Sequence, residues 1–154
     1  MGVSGSGKTT VGSLLADELG WDFYDADDFH PPANREKMAH GVALNDEDRA
    51  EWLNSLQSLV RKNLNEEQSF VLACSALKQR YREALAVNEK VWFVYLRGSY
   101  DQIETRMRRR KNHYMTVQLL QSQFEALEEP QEAVVVDISD TPEIIVQIIR
   151  KGMA

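Results

Sequence analysis

Residues 2–9 read Gly-Val-Ser-Gly-Ser-Gly-Lys-Thr, a full match to the phosphate-binding pattern G-x-x-x-x-G-K-[ST]. Glycines at 2, 5 and 7 permit the tight curl that turns successive backbone N–H groups toward an anion. Lys8 adds a point charge for the β- and γ-phosphates of a nucleotide, and the Thr9 hydroxyl is a ligand for Mg²⁺. Val11, Leu14, Leu15 and Leu19 recur at helical spacing, so a helix over Lys8–Leu19 aims its positive end at the same anion. The nucleotide-binding residues expected from this motif are Gly2, Ser4, Gly5, Ser6, Gly7, Lys8, Thr9 and Thr10. Asp25 and Asp27 stand two apart behind an apolar run, and on extended backbone both carboxylates face one way. Farther along, Arg106, Arg108, Arg109, Arg110 and Lys111 form a basic run. Arg106 and Arg110 are four apart and share a helix face, which suits them to neutralise charge developing on a transferred phosphoryl group, whereas Arg108 and Arg109 fall on a solvated face.

The elements that must position these groups follow from hydrophobic period. Short apolar runs at 21–24, 70–74, 91–96 and 134–138 read as buried strands. Amphipathic stretches separate them: one marked by Trp52, Leu56, Val60 and Leu64, another by Tyr81 and Leu85. A third is capped by Ser99 with Gln102 three residues on, a fourth is capped by Thr116, and a last one opens on Thr141-Pro142. Continuous apolar strands between helices imply an α/β fold, a parallel sheet with helices on both faces. Two polar excursions break the alternation, at 25–51 and at 106–115. Long excursions inside a compact domain are usually functional, and these are the natural candidates for a substrate cover and an ATP lid.

A chain of 154 residues is expected to form one domain, residues 1–154. Its net charge of −6 argues against a general nucleic-acid or membrane binder, and no apolar run approaches the ~18 residues that span a bilayer. The basic run is too short, and too free of aromatic residues, for nucleic acid. One cysteine, Cys74, precludes an internal disulfide and fits a reducing cytoplasm. His30, His40 and His113 lack metal-ligand spacing, so Mg²⁺ delivered with ATP is the one metal expected. Ser75 follows an apolar strand without a histidine placed to activate it, and is not read as a nucleophile.

More specific than any single motif is a series of motifs in order. Tyr24-Asp25-Ala26-Asp27-Asp28-Phe29-His30-Pro31, then Asn34, Lys37-Met38, Gly41 and Leu44-Asn45-Asp46-Glu47-Asp48-Arg49, closely resembles the gluconokinase family. So do Ala73-Cys74-Ser75-Ala76-Leu77-Lys78 with Tyr81-Arg82, and His113-Tyr114-Met115 with Ser122-Gln123-Phe124. The resemblance implies a three-layer P-loop kinase fold with sheet order 2-3-1-4-5. It implies transfer of the γ-phosphate of ATP to the C6 hydroxyl of D-gluconate, and a homodimer. It also divides the labour of the acidic pair: Asp25 would order the Mg²⁺ waters with Thr9, and Asp27 would accept a hydrogen bond from the attacking hydroxyl. Catalysis would rest on Lys8, Asp27, Arg106 and Arg110. For the substrate carboxylate Arg49 is the first candidate, because guanidinium pairs bidentately with carboxylate. Arg82, Lys78, His30 and Lys37 follow it. The cover would span about 28–66 and the lid about 106–120. Alternatives are a kinase for another sugar acid or a shikimate-like substrate, or an inactive nucleotide-binding protein.

That last alternative arises because only Met1 precedes the glycine-rich loop, where the family places a central strand. Two rows of unpaired backbone and several lost apolar side chains would cost on the order of 10 kcal/mol, comparable to the stability of a domain. The expectation is therefore that the natural chain carries roughly 5–10 further upstream residues rich in Val, Ile or Leu.

Overall fold

Gly7 holds a left-handed backbone conformation (φ 96°) and introduces helix α1 (Lys8–Leu19), which Gly20 closes in the same region (φ 68°). A computed structural model of the chain describes residues 1–110 and 117–154. After α1 come β1 (Asp22–Asp25), a 3₁₀ turn (Ala26–Phe29), α2 (Pro32–Ala39), α3 (Asp46–Asn65), β2 (Phe70–Ala73) and α4 (Gln79–Leu85). The chain continues through β3 (Val94–Arg97), α5 (Tyr100–Arg109), α6 (Val117–Ala126), β4 (Val134–Asp137) and α7 (Pro142–Met153). Each expected strand and helix is present, with shifted ends. Helix α3 begins well before Trp52, because Asn45 and Asp48 form a reciprocal capping box. Strand β3 begins later than residue 91, because Val91 N donates to Asn88 O and closes a turn there. Ser99 with Gln102, and Thr141 ahead of Pro142, cap α5 and α7 as expected. The cap expected at Thr116 and the His113-Tyr114-Met115 motif lie outside the described residues.

The strands are parallel but join only in pairs, β1 with β2 and β3 with β4. Between the pairs lies the short segment Met1–Gly2. Met1 N donates to Val94 O (2.5 Å) and Leu96 N to Met1 O (3.0 Å), while Gly2 N donates to Ser75 O (3.2 Å). Two residues make one parallel bridge, which is too little for a ladder. The hydrogen bonds therefore do not draw a single sheet in the order 2-3-1-4-5. A cavity of about 380 Å³, walled by Val11, Leu15, Val71, Ala73, Val94 and Leu96 among others, separates the pairs.

Helices cover both faces. On one side Val11 and Leu15 of α1, Ile103 of α5, Leu120 of α6 and Val146 and Ile149 of α7 are buried together. On the other, Trp52, Leu56 and Val60 of α3 pack with Leu85 of α4. Strand β2 alternates between them: Val71 meets the first cluster, Phe70 and Leu72 the second. The polar stretch after β1 is folded down onto this second core. Trp52 Nε1 donates to Ala26 O (2.7 Å), the buried Asn34 side chain to Asp48 O (2.8 Å), and Lys37 pairs with Asp48 (2.7 Å).

One glycine is set by packing alone. A Cβ on Gly98 would stand 2.3 Å from Ile138 Cδ1 and 3.1 Å from Ile103 Cδ1, both fully buried side chains. Gly98→Ala is expected to lower unfolding stability by about 1–3 kcal/mol, as overpacking does. Chemical denaturation checks this, and Ile138→Val in the same background should recover part of the loss.

Candidate active site

The glycine-rich loop folds as its composition requires. Gly2, Gly5 and Gly7 all have positive φ (147°, 81° and 96°), and a Cβ on Gly2 would stand 2.8 Å from the Leu96 carbonyl oxygen. The Gly2, Ser4 and Ser6 amides donate to Ser75 O, Gln123 Oε1 and Val3 O. Among the described residues no acceptor meets the intervening Gly5 and Gly7 amides, which are left for an anion at the start of α1. The Ser6 hydroxyl is buried beneath the loop without a hydrogen-bond partner among the described residues. Thr10 is exposed on α1.

Lys8, half-buried, folds back so that Nζ donates to Val3 O at 2.9 Å. Burial pulls its pKa below the usual lysine value, while the carboxylates of Asp27 and then Asp25 oppose that pull. Thr9 Oγ1 donates to Asp25 Oδ2 at 2.8 Å, and Asp25 Oδ1 accepts from Asp27 N at 3.0 Å. The end of β1 therefore meets the start of α1, with both aspartates beside the loop. Thr9 and Asp25 place two hard oxygen donors together, the chemistry Mg²⁺ takes. Arg106 approaches from α5: a Cβ on Gly7 would lie 3.9 Å from its Nη1, and its Nη2 donates to Ile138 O. Arg110, exposed at the end of α5, is near enough to depress the lysine's pKa. Arg108 pairs instead with Glu104 on the helix surface, and Arg109 is exposed. Cys74 is buried behind the loop, and burial pushes its thiol up to about 11, so it stays protonated.

Away from the loop, the start of α3 meets the start of α4. Tyr81 is buried, and its hydroxyl donates to Asp46, which also holds Lys78 Nζ (3.0 Å) and Arg80. Arg49 Nη1 lies 3.5 Å from the same hydroxyl, and its guanidinium stands 5.7 Å from the ring centroid. Arg49, Lys78 and Arg80 thus gather around the Tyr81 ring, with Asp46 pairing the last two, a cationic cluster suited to an anionic group.

Arg82, one residue on, does not join this cluster. It is 4% exposed, and its guanidinium donates to Ala76 O, Leu77 O, Gln79 Oε1 and Glu128 O. Its donors cap backbone carbonyls and hold the turn before α4. His30 stacks on Trp52 (4.7 Å, 6° between planes) and its Nδ1 lies 3.3 Å from Asn34 Nδ2. Lys37 is engaged by Asp48. Sequence reasoning gave no role to Asp46, Tyr81 or Gln123. Tyr81 and Gln123 each stood within a motif of the resemblance, but nothing local assigned them a role, and the partner of Gln123 is 119 positions away.

An anion cradle on a helix start, two carboxylates at the end of a parallel strand and an arginine across from them define a P-loop kinase. A family model for shikimate kinase matches residues 4–151. A probable gluconokinase of Mus musculus is 49% identical over 148 residues, covering 84% of this chain and 80% of its own. The thermoresistant gluconokinase of Escherichia coli K12 is 42% identical over 161 residues, covering 99% and 92%. The crystal structure of a gluconokinase from Sinorhizobium meliloti 1021 superposes with a TM-score of 0.89 at 39% identity, covering 99% of this chain and 88% of that one. The chain belongs to the gluconokinase family, within the shikimate-kinase group of P-loop kinases.

Burial, then the charges of Arg49 and Arg35, lower the His30 pKa from 6.5 to about 4. Between those values the unfolded chain binds a proton that the folded chain does not, so stability falls as pH drops through that window. His30→Phe keeps the stack on Trp52 and removes the titration. Urea midpoints measured between pH 4 and 7 should show a shallower acid slope for that variant than for the parent protein.

Proposed function

We infer that this chain transfers the γ-phosphoryl group of ATP to the C6 hydroxyl of D-gluconate, giving 6-phosphogluconate and ADP. The observation that carries this reading is the Thr9–Asp25 contact of 2.8 Å, which brings the phosphate cradle and the acidic pair to one point. In it the Gly5 and Gly7 amides and the α1 dipole hold the β/γ-phosphates, and Lys8 leaves the Val3 carbonyl to pair with them. Thr9 and Asp25 hold Mg²⁺, which when bound neutralises charge on the phosphate oxygens. Asp27 accepts the proton of the C6 hydroxyl as its oxygen bonds to phosphorus and the β–γ bridging P–O bond breaks toward ADP. Arg106 stabilises the charge that builds on the transferred group, with Arg110 reaching the same phosphates.

Arg49 and Lys78 bind the gluconate carboxylate beside Tyr81, while His30, neutral at pH 7, hydrogen-bonds a hydroxyl. Arg82 supports this wall from within. The substrate cover is assigned to about 28–66 and the lid to about 106–120, of which 111–116 lie outside the described residues. The reading carries with it a cytoplasmic homodimer that binds no nucleic acid. Among the described residues no helix is long and apolar enough to cross a membrane.

A coupled assay for 6-phosphogluconate, run beside a panel of other sugar acids and shikimate, tests the substrate. Lys8→Ala should abolish turnover, and Asp27→Asn should lower kcat by about 10²–10⁴. Arg106→Ala should lower kcat by about 10²–10³. Arg49→Ala should act mainly on KM for gluconate. Near-normal kcat in Asp27→Asn would remove that carboxylate from the chemistry, and faster turnover of another acid would replace gluconate as substrate.

A further inference from the structure

The crown of the glycine-rich loop is held from outside by α5 and α6. The Ser4 amide donates to Gln123 Oε1 at 2.6 Å. At the next residue a Cβ on Gly5 would stand 3.2 Å from both Ile103 Cγ2 and Met107 Cγ, so α5 closes on the same turn. Helix α6 is itself anchored. Leu119 and Leu120 are buried, and Phe124 meets Tyr100 of α5 at 5.4 Å between ring centroids. Gln123 is therefore a half-buried side chain on a fixed helix, aimed at a backbone N–H of the loop.

We propose that Gln123 is a positioning residue for the phosphate cradle, its side-chain oxygen holding Ser4 so that the Gly5–Gly7 turn is set before nucleotide arrives. This rests on residues 2–9 being the ATP phosphate site. A turn built on three glycines has more conformational freedom to lose on binding than any other, and pinning it in advance raises affinity. Of the three even-numbered amides, Gly2 is held by the Ser75 carbonyl just past β2 and Ser6 by Val3 within the loop. Ser4 alone is held by a side chain from another element. That side chain also ties the loop to the helix that follows residues 111–116.

The test uses the whole chain with Gln123→Met, similar in length but lacking the acceptor, and Gln121→Met on the exposed face of α6 as control. Calorimetry with ADP and AMP separates contacts to the β-phosphate from contacts to the rest of the nucleotide. In Gln123→Met the ADP Kd and the ATP KM should rise about five- to tenfold, as loss of one hydrogen bond implies. The AMP Kd and the gluconate KM should stay within about twofold of the parent value. Hydrogen exchange at the Ser4 amide should quicken in Gln123→Met and stay slow in Gln123→Glu, which keeps an acceptor oxygen. Unchanged ADP affinity in Gln123→Met, or equal weakening of ADP, AMP and gluconate, would overturn the proposal. So would rapid Ser4 exchange in Gln123→Glu. Parent protein that binds no ADP would instead overturn the cradle itself.

Discussion

The site depends on one constraint: the carboxyl end of β1 must meet the amino end of α1. The Thr9 hydroxyl and the Asp25 carboxylate close that junction at 2.8 Å. Neither group could hold the other if β1 ran antiparallel to β2, because the aspartates would then leave from the far edge. Parallel pairing puts strand ends on one side, which is where α/β sheets place their ligands. The 3₁₀ turn that follows keeps Asp27 at the junction: Asp25 caps it by accepting from the Asp27 amide, and Trp52 ties it down through Ala26.

Charge is distributed around that junction in two groups. Lys8, Arg106 and Arg110 gather at the loop, where phosphate would sit. Arg49, Lys78 and Arg80 gather around Tyr81, where an acid end would sit. The chain as a whole is acidic, at −6, so these cations are concentrated rather than general. A separation of this kind suits a substrate with a phosphorylatable hydroxyl at one end and a carboxylate at the other. Arg82 shows the contrary use of the same side chain: buried, with four acceptors from the protein itself, it stabilises the turn that presents Lys78.

The two strand pairs are held by what lies above and below them. Both pairs contribute to the cluster under α1 and α7, through Val71 on one side and Val94 and Val134 on the other. Leu72 of β2 and Phe93, which immediately precedes β3, feed the cluster under α3. Among the described residues, the backbone hydrogen bonds between the pairs are those of Met1 and Gly2.

Much of this was legible in the residues themselves. Hydrophobic period located the four strands and every helix but α2, because burial on one face or both leaves a pattern of 3.6 or a continuous run, and α2 lies in a polar stretch with neither. The loop was legible because only glycine tolerates the positive φ at 2, 5 and 7, and because Lys8 and Thr9 follow in fixed positions. The ends were less so: the cap pair Asn45 and Asp48 starts α3 earlier than its apolar stripe does. What the sequence could not separate was one charged side chain from another. Arg49 and Arg82 are equal as letters, yet one lies at a cationic cluster and the other inside, and only packing decides which guanidinium meets water. Nor could it pair Ser4 with Gln123, since a contact across 119 positions is made by the way helices stack, and no local pattern records it.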